Sequence, residues 1–271
     1  MKTTELSPDL AFGHFAPRGF AAWILRACHR LPRDWPGART LNKLLRGLIK
    51  RPTRQFDIEV DQLKLRLRSS GNYCEKRQLF EPQFFDVDEI RWLREALAGG
   101  GVFLDIGGNI GLYSLHIGRA CPDVRIITVE PDASLSQRML FNAANNNIQI
   151  DLAPVALSDY SGTGYLAVSA EQRGENALAS EPQQGEEVTV STLLDLCTAK
   201  QIERICAMKI DIEGHEHLVL SHFFANAPQS MWPRYIVIEH VHDETHIVSR
   251  LQAEYGYTIE AQTSRNILLS A

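Results

Sequence analysis

The chain has 271 residues, 44% hydrophobic and 23% charged, a composition that excludes disordered and collagen-like proteins and a length that suits one large domain or one domain with a small extension. Its net charge of −5 argues against a general nucleic-acid binder, yet residues 1–77 carry a net +9 and residues 78–271 a net −14, a basic arm on an acidic body. Five cysteines (Cys28, Cys74, Cys121, Cys197, Cys206) form no C-x-x-C pair, which points to a reducing, cytoplasmic setting, and no apolar run reaches the ~18 residues of a membrane span.

Two apolar stretches, Ala21–Ala27 and Leu41–Ile49, are interspersed with Arg and Lys and separated by Pro32, Pro36 and Gly37, which predicts two amphipathic helices. Asp57–Arg68 alternates apolar and polar residues and runs into the turn signal Ser69–Asn72, predicting a strand or small hairpin. Asp86-Val-Asp-Glu89 resembles a capping box opening a helix with Ile90, Leu93 and Leu97 on one face and Gly99–Gly101 as its stop. Apolar runs at Val102–Ile106, Val124–Val129 and Ile148–Leu157 then alternate with helical patterns, implying a parallel sheet with helices on both faces.

Asp159–Ala199 breaks this rhythm with Gly162, Gly164, the polar stretch Ser169–Gly185, a strand-like Glu187–Val190 and a short helix at Thr192–Cys197. It reads as an insertion suited to a substrate loop. Strands at Ile205–Ile210 and Tyr235–Ile238 resume, with helices near His215–Phe224 and Asp243–Tyr255. The last two runs, Tyr257–Ala261 and Asn266–Ser270, leave no room for a crossover helix and are expected to pair antiparallel.

The segment Val102–Ser114 places Gly107, Gly108 and Gly111 between an apolar strand and an apolar helix, where open parallel sheets bind nucleotide-like ligands. Asp105 at the strand end disfavours a pyrophosphate and suits S-adenosylmethionine, which carries an ammonium and a sulfonium. Opposite charges a few ångströms apart gain on the order of 1–4 kcal/mol at effective dielectrics of 80 to 20. Neither G-x-G-x-x-G nor a phosphate loop is present. Glu130, with Pro131 after it, closes the next strand where an acid captures ribose hydroxyls, and Ser158 and Asp159 follow the third, where they would flank adenine.

D-I-G-G-N-I-G-L-Y-S at 105–114, A-L-S-D at 156–159 and K-I-D-I-E-G-H-E at 209–216 together resemble the FkbM family of class I S-adenosylmethionine-dependent methyltransferases. The likeness covers roughly Gly101 to His240 and hardly touches residues 1–50. It departs at Gly108, where the family more often has Ala, a change with no expected consequence. The resemblance implies an α/β fold with a doubly wound, seven-stranded, mostly parallel sheet, the Rossmann-like methyltransferase fold. It also implies O-methylation of a hydroxyl on a sugar, glycan or secondary metabolite. The expected organisation is a helical and hairpin extension over residues 1–85 and a methyltransferase domain over 86–271, with its insertion at 160–200.

Lys209–Glu216 follows the fourth strand, Glu239 and His240 end the fifth, and six of the nine histidines fall between His215 and His246. Methyl transfer is an in-line displacement that needs the acceptor oxygen positioned and its proton removed. Asp211, Glu239, His240 and His215 are the catalytic candidates. A divalent metal held by His240, His242 and Asp211 or Glu239 is the alternative chemistry. Glu213 is a candidate cap for the following helix and Gly214 a candidate positive-φ turn.

The arm's cations, Arg18, Arg26, Arg30, Arg33, Arg39, Lys43, Arg46, Lys50, Arg51 and Arg54, suit an anionic or carrier-linked acceptor or an acidic membrane surface, unless the arm is simply a lid with solvated charges. Trp23, Ile24, Leu44, Leu45 and Leu48 are candidates for a homodimer surface. Two other functions stay open: a non-catalytic subunit that keeps the fold, and an NAD-dependent oxidoreductase.

Overall fold

The structure, a computed structural model, describes residues 10–51, 54–167, 177–178, 185–240 and 246–271. The basic arm forms helices α1 (Gly19–His29) and α2 (Ala38–Gly47), followed by the antiparallel hairpin β1 (Gln55–Val60) and β2 (Leu63–Arg68). Asp61 and Gln62 both have positive φ, giving the two-residue turn the mirror-image geometry that matches strand twist.

Next comes a helix that the sequence pattern did not reveal, α3 (Tyr73–Phe80), capped where Asn72 Oδ1 accepts from the amide of Glu75 at 3.0 Å. A 3-10 turn at Pro82–Phe84 leads to α4 (Val87–Ala96). The expected capping box is not made here. Asp86 sits at φ 36° with no capping bond, and its carboxylate accepts instead from Arg77 and from the Tyr113 hydroxyl, both at 3.0 Å. Glu89 accepts from Thr263 at 2.7 Å and Asn266 at 3.0 Å. Partners brought in from distant chain have outcompeted the local amides.

The chain continues through β3 (Gly101–Ile106), α5 (Leu112–Ala120), β4 (Val124–Val129), α6 (Ala133–Asn146), β5 (Asp151–Ala153), β6 (Ala156–Ser158), β7 (Gly162–Ala167), β8 (Ala177–Leu178) and β9 (Glu186–Thr192). It closes with α7 (Leu193–Ala199), β10 (Ala207–Ile210), α8 (Glu216–Asn226), β11 (Tyr235–Glu239), α9 (Ile247–Tyr255), β12 (Thr258–Gln262) and β13 (Asn266–Ser270). The seven-stranded sheet runs β12-β13-β11-β10-β3-β4-β5, parallel except where β13 lies antiparallel to both neighbours. Strand order reverses between β3 and β10, and in such sheets the crevice beyond the strand ends at that reversal is where ligands bind.

The predicted third strand, Ile148–Leu157, is two strands in two sheets. Pro154 lacks an amide to donate and ends the run: β5 pairs with β4, while β6 turns away to pair with β9. The insertion is likewise more ordered than a loop, since β6, β9, β7 and β8 make a four-stranded sheet beside the main one. Most of the polar stretch 169–185 lies outside the described residues, as do Val241–Thr245.

Side chains alternate across the main sheet as the strand period requires. Phe103, Ile126, Val237 and Leu268 face one core cluster, which they share with Ile24 and Leu25 of α1, Phe56 and Leu67 of the hairpin, and Leu79 of α3. Leu104, Ile127, Met208 and Ile236 face the other, covered by α7, α8 and α9. The extension is thus packed into the same core as the sheet. Ile24 is spent inside it, unlike Trp23, Leu44 and Leu48, which stay exposed. Inside the arm, Arg66 pairs with Asp57 at 2.7 Å, both fully buried, and its guanidinium lies 4.9 Å from the Phe15 ring and 4.3 Å from that of Phe141.

Candidate active site

The glycine loop bends back over β4: the amides of Gly107 and Gly108 both donate to the Val129 carbonyl, at 3.1 and 3.0 Å. A Cβ at Gly107 would stand 1.9 Å from the main-chain oxygen of Asp211, so the loop and the turn after β10 are in direct contact. A Cβ at Gly108 would stand 2.1 Å from Thr128 Cγ2. Alanine therefore does not fit at 108 in this chain unless Thr128 moves. Gly111 precedes α5 in the left-handed region.

Asp105 is buried beneath the loop. One oxygen accepts from the Ser114 hydroxyl at 2.6 Å and the Ser114 amide at 3.2 Å, and the same hydroxyl meets Thr128 Oγ1 at 2.6 Å. Its Oδ1 is buried with no hydrogen-bond partner among the described residues. Burial pushes its pKa up, against Lys209 and Ser114, which pull it down. Lys209 is its register partner on β10. Asp105 does not line the cavity; it sets the loop and the start of α5 from behind.

The cavity itself, about 390 Å³, opens beyond the ends of β3, β4 and β10. Gly107, Gly108 and Asn109 form one wall, with Glu130 and Pro131 beside them. Glu130 accepts from the Asn109 amide at 2.8 Å and the Asp132 amide at 2.9 Å, and burial nevertheless pushes its pKa up to about 8. Val155, Ala156, Leu157, Leu166 and Leu178 supply an apolar wall, so the inserted sheet shapes this space. Ser158 and Asp159 lie just past that wall and are not among the lining residues; Ser158 Oγ donates to Asp159 at 3.1 Å.

The rest of the lining includes charged side chains. Lys209 donates to the Gly107 carbonyl at 2.9 Å and pairs with Asp211 at 3.5 Å. Burial opposes its charge, but Asp211 and Asp105 outweigh it and hold its pKa above the ordinary lysine value. Glu239 is gripped by Arg265, and burial together with Asp211 raises its pKa. Asp211, His215, Lys209 and Arg265 reach the cavity; Glu239 and His240 do not line it. The His240 ring is instead 3.2 Å from the Thr263 carbonyl. His215, the residue before α8, has its pKa lowered by burial, and its Nδ1 has no hydrogen-bond partner among the described residues. In the turn before α8, Gly214 has φ 96° as expected, but the clamp is Glu216, not Glu213: Glu216 accepts from the amides of Ile212 at 2.7 Å and Gly214 at 3.0 Å.

The sequence reading missed Tyr73, Cys74, Lys76, Phe85, Asp86 and Arg265, all of which line the cavity. The one local signal was Asn72, whose side chain caps α3 and also donates to Asn109 Oδ1 of the glycine loop at 2.7 Å. The Cys74 thiol is pushed up to about 12 by burial and then by Asp211, so it is protonated. Among the described residues no group of three or more His, Cys, Asp or Glu side chains is placed to hold a metal ion, and His242 lies outside them. Nor is any described helix long and apolar enough to cross a membrane.

Residues 105–259 match the methyltransferase FkbM domain, more than half of the chain. The chain belongs to the FkbM methyltransferase family. It is 26% identical over 201 residues to the 31-O-demethyl-FK506 methyltransferase FkbM of Streptomyces tacrolimicus, covering 61% of this chain and 76% of that protein. Over 153 residues it is 28% identical to the AMB antimetabolite synthetase AmbE of Pseudomonas aeruginosa, covering 51% of this chain and only 7% of AmbE. Two solved structures resemble it at lower identity. One is a tRNA (uracil-54, C5)-methyltransferase of Pyrococcus abyssi with S-adenosyl-L-homocysteine (12% identity, TM-score 0.46, 80% of this chain and 43% of that one). The other is a precorrin-6y C5,15-methyltransferase of Geobacter metallireducens (13% identity, TM-score 0.42, 68% and 87%). Within this FkbM methyltransferase domain lie the glycine loop, Glu130, Asp211 and His215, whereas Tyr73, Lys76, Asp86 and Arg265 fall outside the matched residues.

Proposed function

We propose that the protein transfers the methyl group of S-adenosylmethionine to a hydroxyl oxygen of a small-molecule, glycan or carrier-linked acceptor. The observation that carries this reading is one cavity lined by the glycine loop and Glu130 and also by Asp211 and His215. The residues fit the donor: Glu130 has acceptor capacity left for ribose hydroxyls, since each of its oxygens takes one amide. The walls at Pro131, Leu135 and Val155–Leu157 suit an adenine ring. When bound, S-adenosylmethionine supplies the electrophilic methyl carbon on its sulfonium.

Around that carbon the chain's own groups divide the work. Asp211 and Lys209 fix the acceptor side, and the depressed pKa of His215 keeps it neutral at pH 7, ready to take the hydroxyl proton as the oxygen attacks. The new O–CH₃ bond forms as the C–S bond breaks, leaving S-adenosylhomocysteine. Calorimetric titration with S-adenosylhomocysteine and with NAD tests the donor. Selective binding of the first is expected, and preference for NAD would overturn the reading. Mass spectrometry of acceptors incubated with methyl-labelled donor then identifies the modified atom.

A further inference from the structure

A second cavity, about 510 Å³, borders the first, and the two share Tyr73, Lys76, Asp86 and Arg265 in their walls. Its outer wall is the basic arm. Arg39, Lys43 and Arg46 stand at i, i+4 and i+7 on α2, hence on one face of the helix, and all three line this space, with Arg33 before them and Lys76 and Arg77 opposite on α3.

Part of that charge is matched within the chain. Arg46 pairs with Glu81 at 2.7 Å, Arg77 with Asp86 at 3.0 Å and Arg33 with Asp88 at 3.3 Å. Arg39 and Lys43 are different. Arg39 lies 5.7 Å from the Phe84 ring, and neither it nor Lys43 has a carboxylate partner among the described residues. Isolated surface cations are ordinarily just solvated, but here they converge on a concave cleft, where low-dielectric walls focus their field on whatever enters. Seven cations and four carboxylates, Glu81, Asp86, Asp88 and Glu89, line the cleft, so its wall carries a net positive charge on a protein that is acidic as a whole. A cleft of this volume with several arginines and lysines is roomy for a lone carboxylate and suits a tetrahedral, multiply charged group that guanidinium forks can chelate.

We propose that this basic cleft binds a phosphate or diphosphate carried by the methyl acceptor, so that the anion seats against α2 and α3 while the reactive hydroxyl extends past Tyr73 and Arg265 to the methyl-transfer cavity. The assignment of the anion to an acceptor rests on the methyltransferase reading above; the anion site itself does not. Two sources share this chemistry: a soluble phosphorylated or nucleotide-linked compound, and a lipid-linked one delivered at a membrane. Exposed Phe20 and Trp23 on α1 and Leu44 and Leu48 on α2 or just beyond it lie on the same two-helix arm, which is where a lipid surface would meet the protein.

The test uses the full chain and inorganic pyrophosphate as the probe. Calorimetry should show binding to the wild type and a loss of about tenfold or more in affinity in the double variant R39E/K43E. Both side chains are exposed, so S-adenosylhomocysteine affinity, unchanged, reports that the variant is folded. Equal pyrophosphate affinity in the two proteins, or none in the wild type at millimolar probe, overturns the proposal. Failure of the wild type to bind S-adenosylhomocysteine instead sinks the methyl-donor reading, and with it the acceptor role of the anion, whatever pyrophosphate does. Co-sedimentation with vesicles of phosphatidylcholine and phosphatidic acid, displaced by pyrophosphate, supports the cleft with a lipid-linked source. Pyrophosphate binding without co-sedimentation supports it with a soluble one.

Discussion

The main-chain oxygen of Asp211 occupies the place where any side chain at Gly107 would begin. Two strand ends separated by about a hundred residues of sequence therefore touch through backbone, and the glycine loop and the turn after β10 hold each other in position.

Gly107→Ala should be severe for two reasons: residue 107 has φ 73°, and the clash is with backbone that cannot rotate away. Loss of S-adenosylhomocysteine binding by calorimetry is expected, with a lowered melting temperature. Gly214→Ala is the contrast. It shares a positive φ but has open space around the added carbon, so it should cost only about 1–2 kcal/mol in stability.

Removing the proposed base should separate chemistry from binding. His215→Ala should lower turnover by roughly 10²–10⁴-fold while leaving S-adenosylhomocysteine affinity within a few-fold. Because burial lowers the pKa of His215, it stays neutral below 6.5, and the acid limb of the wild-type rate profile should lie below that pH. His240→Ala, whose ring is committed to Thr263, should slow the reaction far less. A rate unaltered in His215→Ala would remove that residue from the mechanism.

In the arm, Arg66→Met strands Asp57 in the core with only the amides of Gly13 and Phe15 to solvate it. Breaking a buried pair from one side costs about 3–5 kcal/mol. Urea denaturation should register that loss, and Arg66→Met combined with Asp57→Leu should recover much of it.

Acid sensitivity should trace in part to His116. Burial, aided by nearby Arg94, lowers its pKa to about 4, and neither ring nitrogen finds a partner among the described residues. The fold therefore favours the neutral ring. The stability this contributes is complete above the unfolded value near 6.5 and is lost as pH falls from there through about 4, some ~3 kcal/mol in all. His116→Leu should flatten the stability profile across that window; a slope identical to wild type would assign the acid loss to other groups.

Read alone, the chain's periodicity was enough to place most of the sheet, because strands buried on both faces must be continuous apolar runs. Val124–Val129 and Asn266–Ser270 match β4 and β13 residue for residue. The glycine spacing and Glu130 likewise marked one wall of the cavity, since those features are local, whereas the other two strand-end acids, Asp105 and Asp159, do not line it. What only the tertiary structure decided was which charges face the cavity. Asp86 abandoned its helix for Arg77 and Tyr113, Asp105 turned to Ser114, and Glu239 to Arg265, because a buried carboxylate takes the strongest donor that folding brings within reach, however distant in sequence. The arm's cations were legible in the sequence, but that α2 faces α3 and Arg265 across one cleft was not, because those residues come from both ends of the chain and only the folded core brings them together.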